Sequence, residues 1–313
     1  MITVTGATGN IGRTLVDLLA QAGEEEVVAV SRRDRPSTPD APAVPGTPVV
    51  PAAPVVPVVP AAPAVPAVPA APGVRWIRAD VGNAESMRPA LTGARALFLV
   101  LGGELNAHGE SPTLLLDTAV SAGVERVVLV SSQVSATRPD APSHARLRAF
   151  EAAVRASGLD FTILRPGGFA SNAFAWAETI RTQRTAFAPF ADTALPVVDP
   201  ADIAAVAAAA LREDGHGGRA YELTGPALIS PREQVRAVAE ALAEEVTLVE
   251  LSREEAHAAM TRFMPEEAVT GTLDVLGEPL AAESKVSGDV EAVLGRPAGG
   301  FGGWAGRNAA AFK

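Results

Sequence analysis

The tightest constraint on the fold lies within the first dozen residues. Ile2–Thr5 reads as a buried strand and Ile11–Ala22 as a helix with Leu15, Leu18 and Leu19 along one face. Between them runs Thr5-Gly6-Ala7-Thr8-Gly9-Asn10-Ile11-Gly12. A strand that passes at once into a helix through glycines at this spacing is the context of a dinucleotide-binding turn. Gly6 permits the tight turn, Gly9 lets the backbone approach a pyrophosphate, and Gly12 lets the helix pack closely on the strand. The helix start then offers unpaired N–H groups and a positive dipole end to phosphates. Gly6, Thr8, Gly9, Asn10, Ile11 and Gly12 are therefore expected to touch a nucleotide; a turn with no ligand is the alternative.

The rest of the first half keeps the same rhythm. Strand patterns at Val27–Ser31, Val74–Arg78, Ala96–Leu101, Val127–Val130 and Phe161–Leu164 alternate with helical ones at Ala84–Leu91, Ser111–Ala122 and Ser143–Ser157. Such alternation predicts an α/β fold: a Rossmann-type, doubly wound parallel sheet covered on both faces. After Pro166 the alternation weakens. Pro200–Leu211 reads as an Ala-rich helix capped by Asp199, Tyr221–Thr224 as strand-like, and Ser230–Glu240 as a helix. Val246–Leu251 reads as a strand, Ser252–Met260 as a helix, and Pro265–Gly277 as partly helical. This divides the chain into a nucleotide-binding domain over 1–168 and, over 169–313, the sheet's remaining strands plus a smaller substrate lobe above the strand ends. Trp304 and Phe312 are expected to dock the C-terminal helix.

One stretch breaks the pattern. Between strands 2 and 3, over residues 36–73, proline recurs at every third position from Pro36 to Pro72. That period matches polyproline II. Extended, the stretch would reach roughly 115 Å, yet its ends must meet adjacent strands. It reads as a low-complexity insertion where a crossover helix would normally lie; a spacer or recognition element is the alternative.

Composition excludes several classes. A net charge of −10 argues against generic nucleic-acid binding. With no cysteine, disulfides, zinc–thiolate sites and thiol nucleophiles are ruled out, and four scattered histidines make a metal site an unpromising reading. No apolar run reaches the roughly 18 residues of a membrane span, and no basic leader precedes the first strand, so a cytoplasmic location is expected.

The second strand ends in Ser31-Arg32-Arg33, where NAD-selective sites usually place an acidic residue for the ribose 2′-hydroxyl. Guanidinium groups match a 2′-phosphate. Arg32 and Arg33 thus favour NADP(H) over NAD(H), unless they are ordinary solvated charges.

Taken together these residues give a resemblance. The glycine turn, Ala79-Asp80, Ser131-Ser132, the run Ser157-Gly158-Leu159-Asp160-Phe161-Thr162-Ile163-Leu164-Arg165-Pro166-Gly167-Gly168-Phe169, and Asp199-Pro200-Ala201-Asp202-Ile203-Ala204 make the chain similar to atypical short-chain dehydrogenases/reductases of the NmrA-like group. The resemblance runs almost end to end apart from the proline insertion. It implies NADP(H) along the strand ends, with Asp80 and Val81 near the adenine. Val100, Leu101 and Gly102 would follow the ribose and nicotinamide path; Pro166, Gly167 and Phe169 would border the nicotinamide and substrate. Ser131 and Ser132 would occupy the place of the family's substrate-orienting serine.

The chain also departs from that pattern. Reducing members use a Tyr and a Lys four residues apart on the helix after strand 5; here those slots hold Ser143 and Leu147, and Tyr221 is the sole tyrosine. His144 and Arg148 share that spacing and stand as substitutes, one as general acid and the other holding a substrate oxygen. The alternative is a helix cap with a surface His and Arg. Asn172, Phe174 and Trp176 follow Phe169 closely enough to line a substrate pocket, suited to a flat aromatic compound; packing of the small lobe is the other reading for the aromatics. The expected function is NADP(H)-dependent reduction of a quinone or other small carbonyl or aromatic compound. A nucleotide-reading sensor and a non-redox biosynthetic enzyme are the rivals.

Overall fold

The computed structural model describes residues 1–32, 73–101 and 109–313. The proline stretch, Arg33 and Gly102 lie outside the described residues.

Seven strands form one sheet: β1 (Ile2–Val4), β2 (Val27–Ser31), β3 (Val74–Arg78), β4 (Ala96–Val100), β5 (Arg126–Val130), β6 (Asp160–Pro166) and β8 (Arg219–Leu223). Their order is β3-β2-β1-β4-β5-β6-β8 and every pairing is parallel. Helices on both faces explain why residues such as Val27–Val30 and Val127–Val130 are buried without alternation. On one face α1 (Asn10–Ala22), α7 (Pro200–Arg212) and α11 (Asp289–Leu294) cover Ile2, Val4 and Phe98. On the other, α2 (Ala84–Leu91), α3 (Pro112–Ser121) and α5 (Ala145–Ala156) cover Val28, Leu97 and Leu129. Thr3 is polar but fully buried; its hydroxyl donates to the Ala90 carbonyl at 2.6 Å.

In α1 the buried face is Ile11, Leu15, Val16 and Leu19, each apolar side chain contributing about 1.5–3 kcal/mol. Leu18, expected on that face, is 36% exposed, because it lies at the edge of the stripe formed by Ile11, Leu15 and Leu19. Beside α1 on the same face lies α7, whose small side chains allow close helix approach; Asp199 caps it by accepting from the Ala201 N–H at 2.9 Å.

The smaller lobe holds α6 (Ala177–Gln183), α8 (Pro231–Leu242), α9 (Arg253–Met260), α10 (Glu266–Gly277) and α12 (Phe301–Asn308). The strand expected at Val246–Leu251 forms as β9 (Thr247–Leu251). It pairs in parallel with β7 (Thr185–Pro189), unforeseen in the sequence, as a separate two-stranded sheet. The helix expected from Ser143 begins only at Ala145, because Pro142–His144 winds into a 3₁₀ turn first. Among the described residues, no helix is long and apolar enough to cross a membrane, and no cluster of three His, Asp or Glu is placed to hold a metal.

Candidate functional site

The site lies at the carboxyl edge of the sheet, where β1 and β4 are neighbours but the chain runs outward from them in opposite directions. Such a switch point leaves a crevice between the loops. Thr5 closes its floor: its hydroxyl donates to the Phe98 carbonyl at 3.0 Å and accepts from the Val100 N–H at 2.9 Å. Gly6 follows at φ 60°, and a Cβ there would meet Val100 Cγ1 at 2.6 Å. The turn returns when the Gly9 N–H donates to the Gly6 carbonyl at 2.9 Å.

Above it α1 begins without a side-chain cap and without an acidic residue in its first turn. By contrast, Ser230 with Glu233 and Ser252 with Glu255 build complete capping boxes on α8 and α9. The start of α1 therefore keeps its N–H groups and its positive dipole end facing the crevice. A cavity of about 290 Å³ opens there. Gly6, Thr8, Gly9, Asn10, Ile11 and Gly12 form its turn side; Val30, Ser31 and Arg32 come from the end of β2, Ala79 and Val81 from the end of β3, and Val100 and Phe169 close it. A phosphate-seeking helix start with an exposed arginine at one end fits an adenine dinucleotide carrying a 2′-phosphate.

Beyond the cavity, strand ends are locked by a buried ion pair. Glu151 of α5 takes Arg165 of β6 in a two-pronged bridge at 3.0 and 2.6 Å, and the Ser131 hydroxyl donates to it at 2.6 Å. Burial pushes the Glu151 carboxyl up, but the bonds from Arg165 and Ser131 outweigh it and hold it below the usual range. A second buried carboxylate, Glu283, is held by Arg138 at 2.8 and 2.9 Å, by the Thr137 hydroxyl at 2.8 Å and by the Leu280 N–H at 2.9 Å. This fastens the C-terminal segment to α4 (Val134–Thr137), just after β5.

Comparison with known proteins agrees with this geometry. Residues 1–278 match the NmrA-like family. The chain belongs to that family. It is 33% identical over 315 residues to a (4-alkanoyl-5-oxo-2,5-dihydrofuran-3-yl)methyl phosphate reductase of Streptomyces griseus, spanning 100% of this chain and 99% of that protein. It is 31% identical over 245 residues to an NAD(P)H azoreductase of Xenophilus azovorans, covering 77% of this chain and 84% of the relative. In fold it is similar to an NADPH-dependent quinone oxidoreductase of Escherichia coli solved with NADPH, with a TM-score of 0.70 at 22% identity over 98% and 99% of the two chains.

Within this NmrA-like frame the remaining candidates scatter. Asp80 is exposed, its carboxylate accepting from the Gly82 N–H at 2.9 Å, while Leu101 is buried in the layer with α2 and α3. Ser131 is taken up by Glu151, and Ser132 caps the next turn by accepting from the Val134 N–H at 3.2 Å. Pro166 is buried and the Gly167 N–H donates to the Leu223 carbonyl at 3.0 Å. Asn172 is exposed. Phe174 packs against Trp304 and Phe312, at ring separations of 5.0 and 5.9 Å, inside the small lobe. Trp176 lies in the same core, with its indole N–H on the Phe187 carbonyl at 3.0 Å.

Ser143 bonds to His144 Nδ1 at 2.9 Å, and Arg148 donates to the Ala141 carbonyl at 2.9 Å. Burial and the neighbouring Arg148 charge lower the His144 pKa. The ring is therefore largely neutral near pH 7 and a poor source of protons. Leu147, in the lysine slot, packs into the core with α3. Sequence reasoning missed Val30, Ser31 and Ala79 in the cavity wall, and Ser171, whose hydroxyl accepts from Asn10 Nδ2 at 3.1 Å across the crevice. The strand ends predicted correctly at Ser31 and Arg78 were the signal for the first three; nothing local marks Ser171.

Proposed function

We propose that this protein is an NADP(H)-dependent reductase acting on small electron-poor carbonyl compounds, quinones among them. The observation that carries it is the uncapped start of α1 and the exposed Arg32 at two ends of one crevice, with Ser143 and Leu147 in place of the family's Tyr and Lys. When bound, NADPH supplies a hydride to an acceptor. The amides of Asn10 to Gly12 would hold the pyrophosphate and Arg32 would meet the 2′-phosphate, with Phe169 in the cavity wall. Asn10 is anchored to Ser171, which ties the turn to the loop after β6 and keeps the crevice from widening. No described side chain near Ser143 is a strong proton donor, and this suits substrates whose reduced anion is already stable, as that of a quinone is. The three relatives named above carry reductase or oxidoreductase names, in line with this reading.

The vacant Tyr and Lys positions also favour a second reading, a protein that binds NADP(H) and reports it to a partner. One assay separates them. Purified protein is mixed with NADPH and menadione, an azo dye or an unsaturated lactone, and loss of the reduced-nicotinamide absorbance is followed. Turnover on any acceptor supports the reductase. Tight NADPH binding by calorimetry with no turnover on all three transfers the assignment to the nucleotide-reading protein.

A further inference from the structure

The loop after β3 is fastened from a distance. Residues 79–83 carry the chain from β3 to α2, and Ala79 and Val81 of this loop line the crevice beside Arg32. Part of the loop is shaped from within: the Asp80 carboxylate accepts from the Gly82 N–H at 2.9 Å, and the Ser86 hydroxyl accepts from the Asp80 N–H at 2.9 Å. A second set of bonds comes from the start of α3. The Glu110 N–H donates to the Gly82 carbonyl at 3.0 Å. The Glu110 carboxylate accepts from the N–H of Ala84, the first residue of α2, at 2.7 Å. One residue thus grips the loop on both sides of Asn83.

Glu110 is itself held in place. Arg146 of α5 donates from Nη2 to its carbonyl at 2.9 Å, and that guanidinium lies over the Phe150 ring, 5.4 Å from the centroid. Gly109 is fitted between the parts: its φ is 130°, and a Cβ there would stand 2.7 Å from Arg146 Nη2 and 3.2 Å from Gly82 Cα. Helix α2 already has a cap of its own, since Asn83 accepts from the Ser86 N–H at 2.8 Å. Glu110 is exposed, so its bond to Ala84 adds little to stability. What it does fix is where the loop sits relative to α3 and α5.

We infer that Glu110 is a positioning residue for the adenosine end of the coenzyme, acting through the loop that carries Val81. This rests on the nucleotide reading above, in which Arg32 meets the 2′-phosphate. Arg32 follows β2 and Val81 follows its neighbour β3, so Val81 offers an apolar wall to the base attached to that ribose. Glu110 does not line the crevice; it sets the wall's position. Charge alone predicts the reverse of this role, because removing a carboxylate from the neighbourhood of bound phosphates should tighten their binding.

Calorimetry with NADPH, NADH and 2′,5′-ADP provides the test. Glu110→Ala should weaken all three by about fivefold and to the same extent, since each contains the adenosine. Glu110→Gln keeps an accepting oxygen and should recover most of the loss. In a Val81→Ala background, Glu110→Ala should cost less than about twofold more, because the two residues act through one wall. Equal or tighter binding by Glu110→Ala overturns the inference, and so does a full fivefold loss in the Val81→Ala background. A wild type that binds none of the three ends the nucleotide reading and the inference with it; a wild type that binds them no better than Glu110→Ala ends the inference alone. Melting curves within a few degrees of wild type show that the variants are folded. Glu110→Asp, one methylene shorter, carries the same expectation if alanine unfolds the chain.

Discussion

Replacing Gly12 with alanine adds one methyl group at the tightest contact in the nucleotide turn. The new Cβ would stand 2.2 Å from the Gly6 carbonyl oxygen, 2.7 Å from the Gly6 carbonyl carbon and 3.0 Å from Ala7 Cα. All three are backbone atoms, so no rotamer change relieves the clash, and α1 must move outward by on the order of 1 Å. Alanine favours the helix by at most about 1 kcal/mol. Overpacking a filled site costs about 1–3 kcal/mol, so the net effect is a loss of up to about 2 kcal/mol. For a chain of this size that lowers Tm by up to roughly 8 °C.

Function suffers in the same movement, because the displaced carbonyl is the one that accepts the Gly9 N–H at 2.9 Å and sets the direction of the free amides. At a concentration one hundred times its Kd, NADPH stabilises the wild type by about 2.7 kcal/mol. If Kd rises roughly thirtyfold, the same concentration stabilises the variant by only about 0.9 kcal/mol. Thermal melts with and without NADPH read both quantities. Gly306→Ala is the control: it makes the same change in α12, where nothing lies within 4 Å of the new Cβ, and should stabilise by about 0.5–1 kcal/mol. A Gly12→Ala variant that keeps the wild-type melting point and the full NADPH shift would show that this packing, and the turn's role in holding a nucleotide, are misread.

Three further outcomes follow from the same geometry. Arg32→Gln should weaken NADPH by about tenfold or more while leaving NADH little changed, measured as two dissociation constants, because only one of the two carries the 2′-phosphate. Glu151 and Glu283 have folded pKa values below their unfolded ones, near 4.5, so their pairing stabilises fully above that pH and is lost as pH falls through the lower folded values; urea midpoints between about pH 6 and 3 should drop, and Glu283→Gln should flatten the slope on that range. Phe312→Ala should cost about 3–5 kcal/mol by denaturant titration, since the ring is fully buried against Phe174 and Trp304 although it stands one residue from the chain's last.

What the sequence disclosed and what it concealed divide along a physical line. The central strands of the main sheet were legible because a strand covered on both faces is apolar throughout, as Val127–Val130 is. The crevice was legible because three glycines at that spacing answer a steric demand local to the turn, as the backbone contacts of Gly12 show. Strand β7 was not: Thr185-Ala186-Phe187-Ala188-Pro189 is short, half alanine or proline, and becomes a strand only because β9 lies beside it. Equally hidden were pairings that sequence distance conceals, Asn10 with Ser171 and Glu283 with Arg138, each over more than a hundred residues.

The start of α5 shows how a correct local reading can still misjudge a role. Four-residue spacing did bring His144 and Arg148 close together, so that the Arg148 charge adds to burial in lowering the histidine pKa. Yet the 3₁₀ turn from Pro142 puts Ser143 on the imidazole nitrogen and leaves His144 half-buried beside a fixed positive charge. Both burial and that charge oppose protonation of His144. On the reductase reading proposed above, the acceptor would then need no proton from this helix at the moment it is reduced.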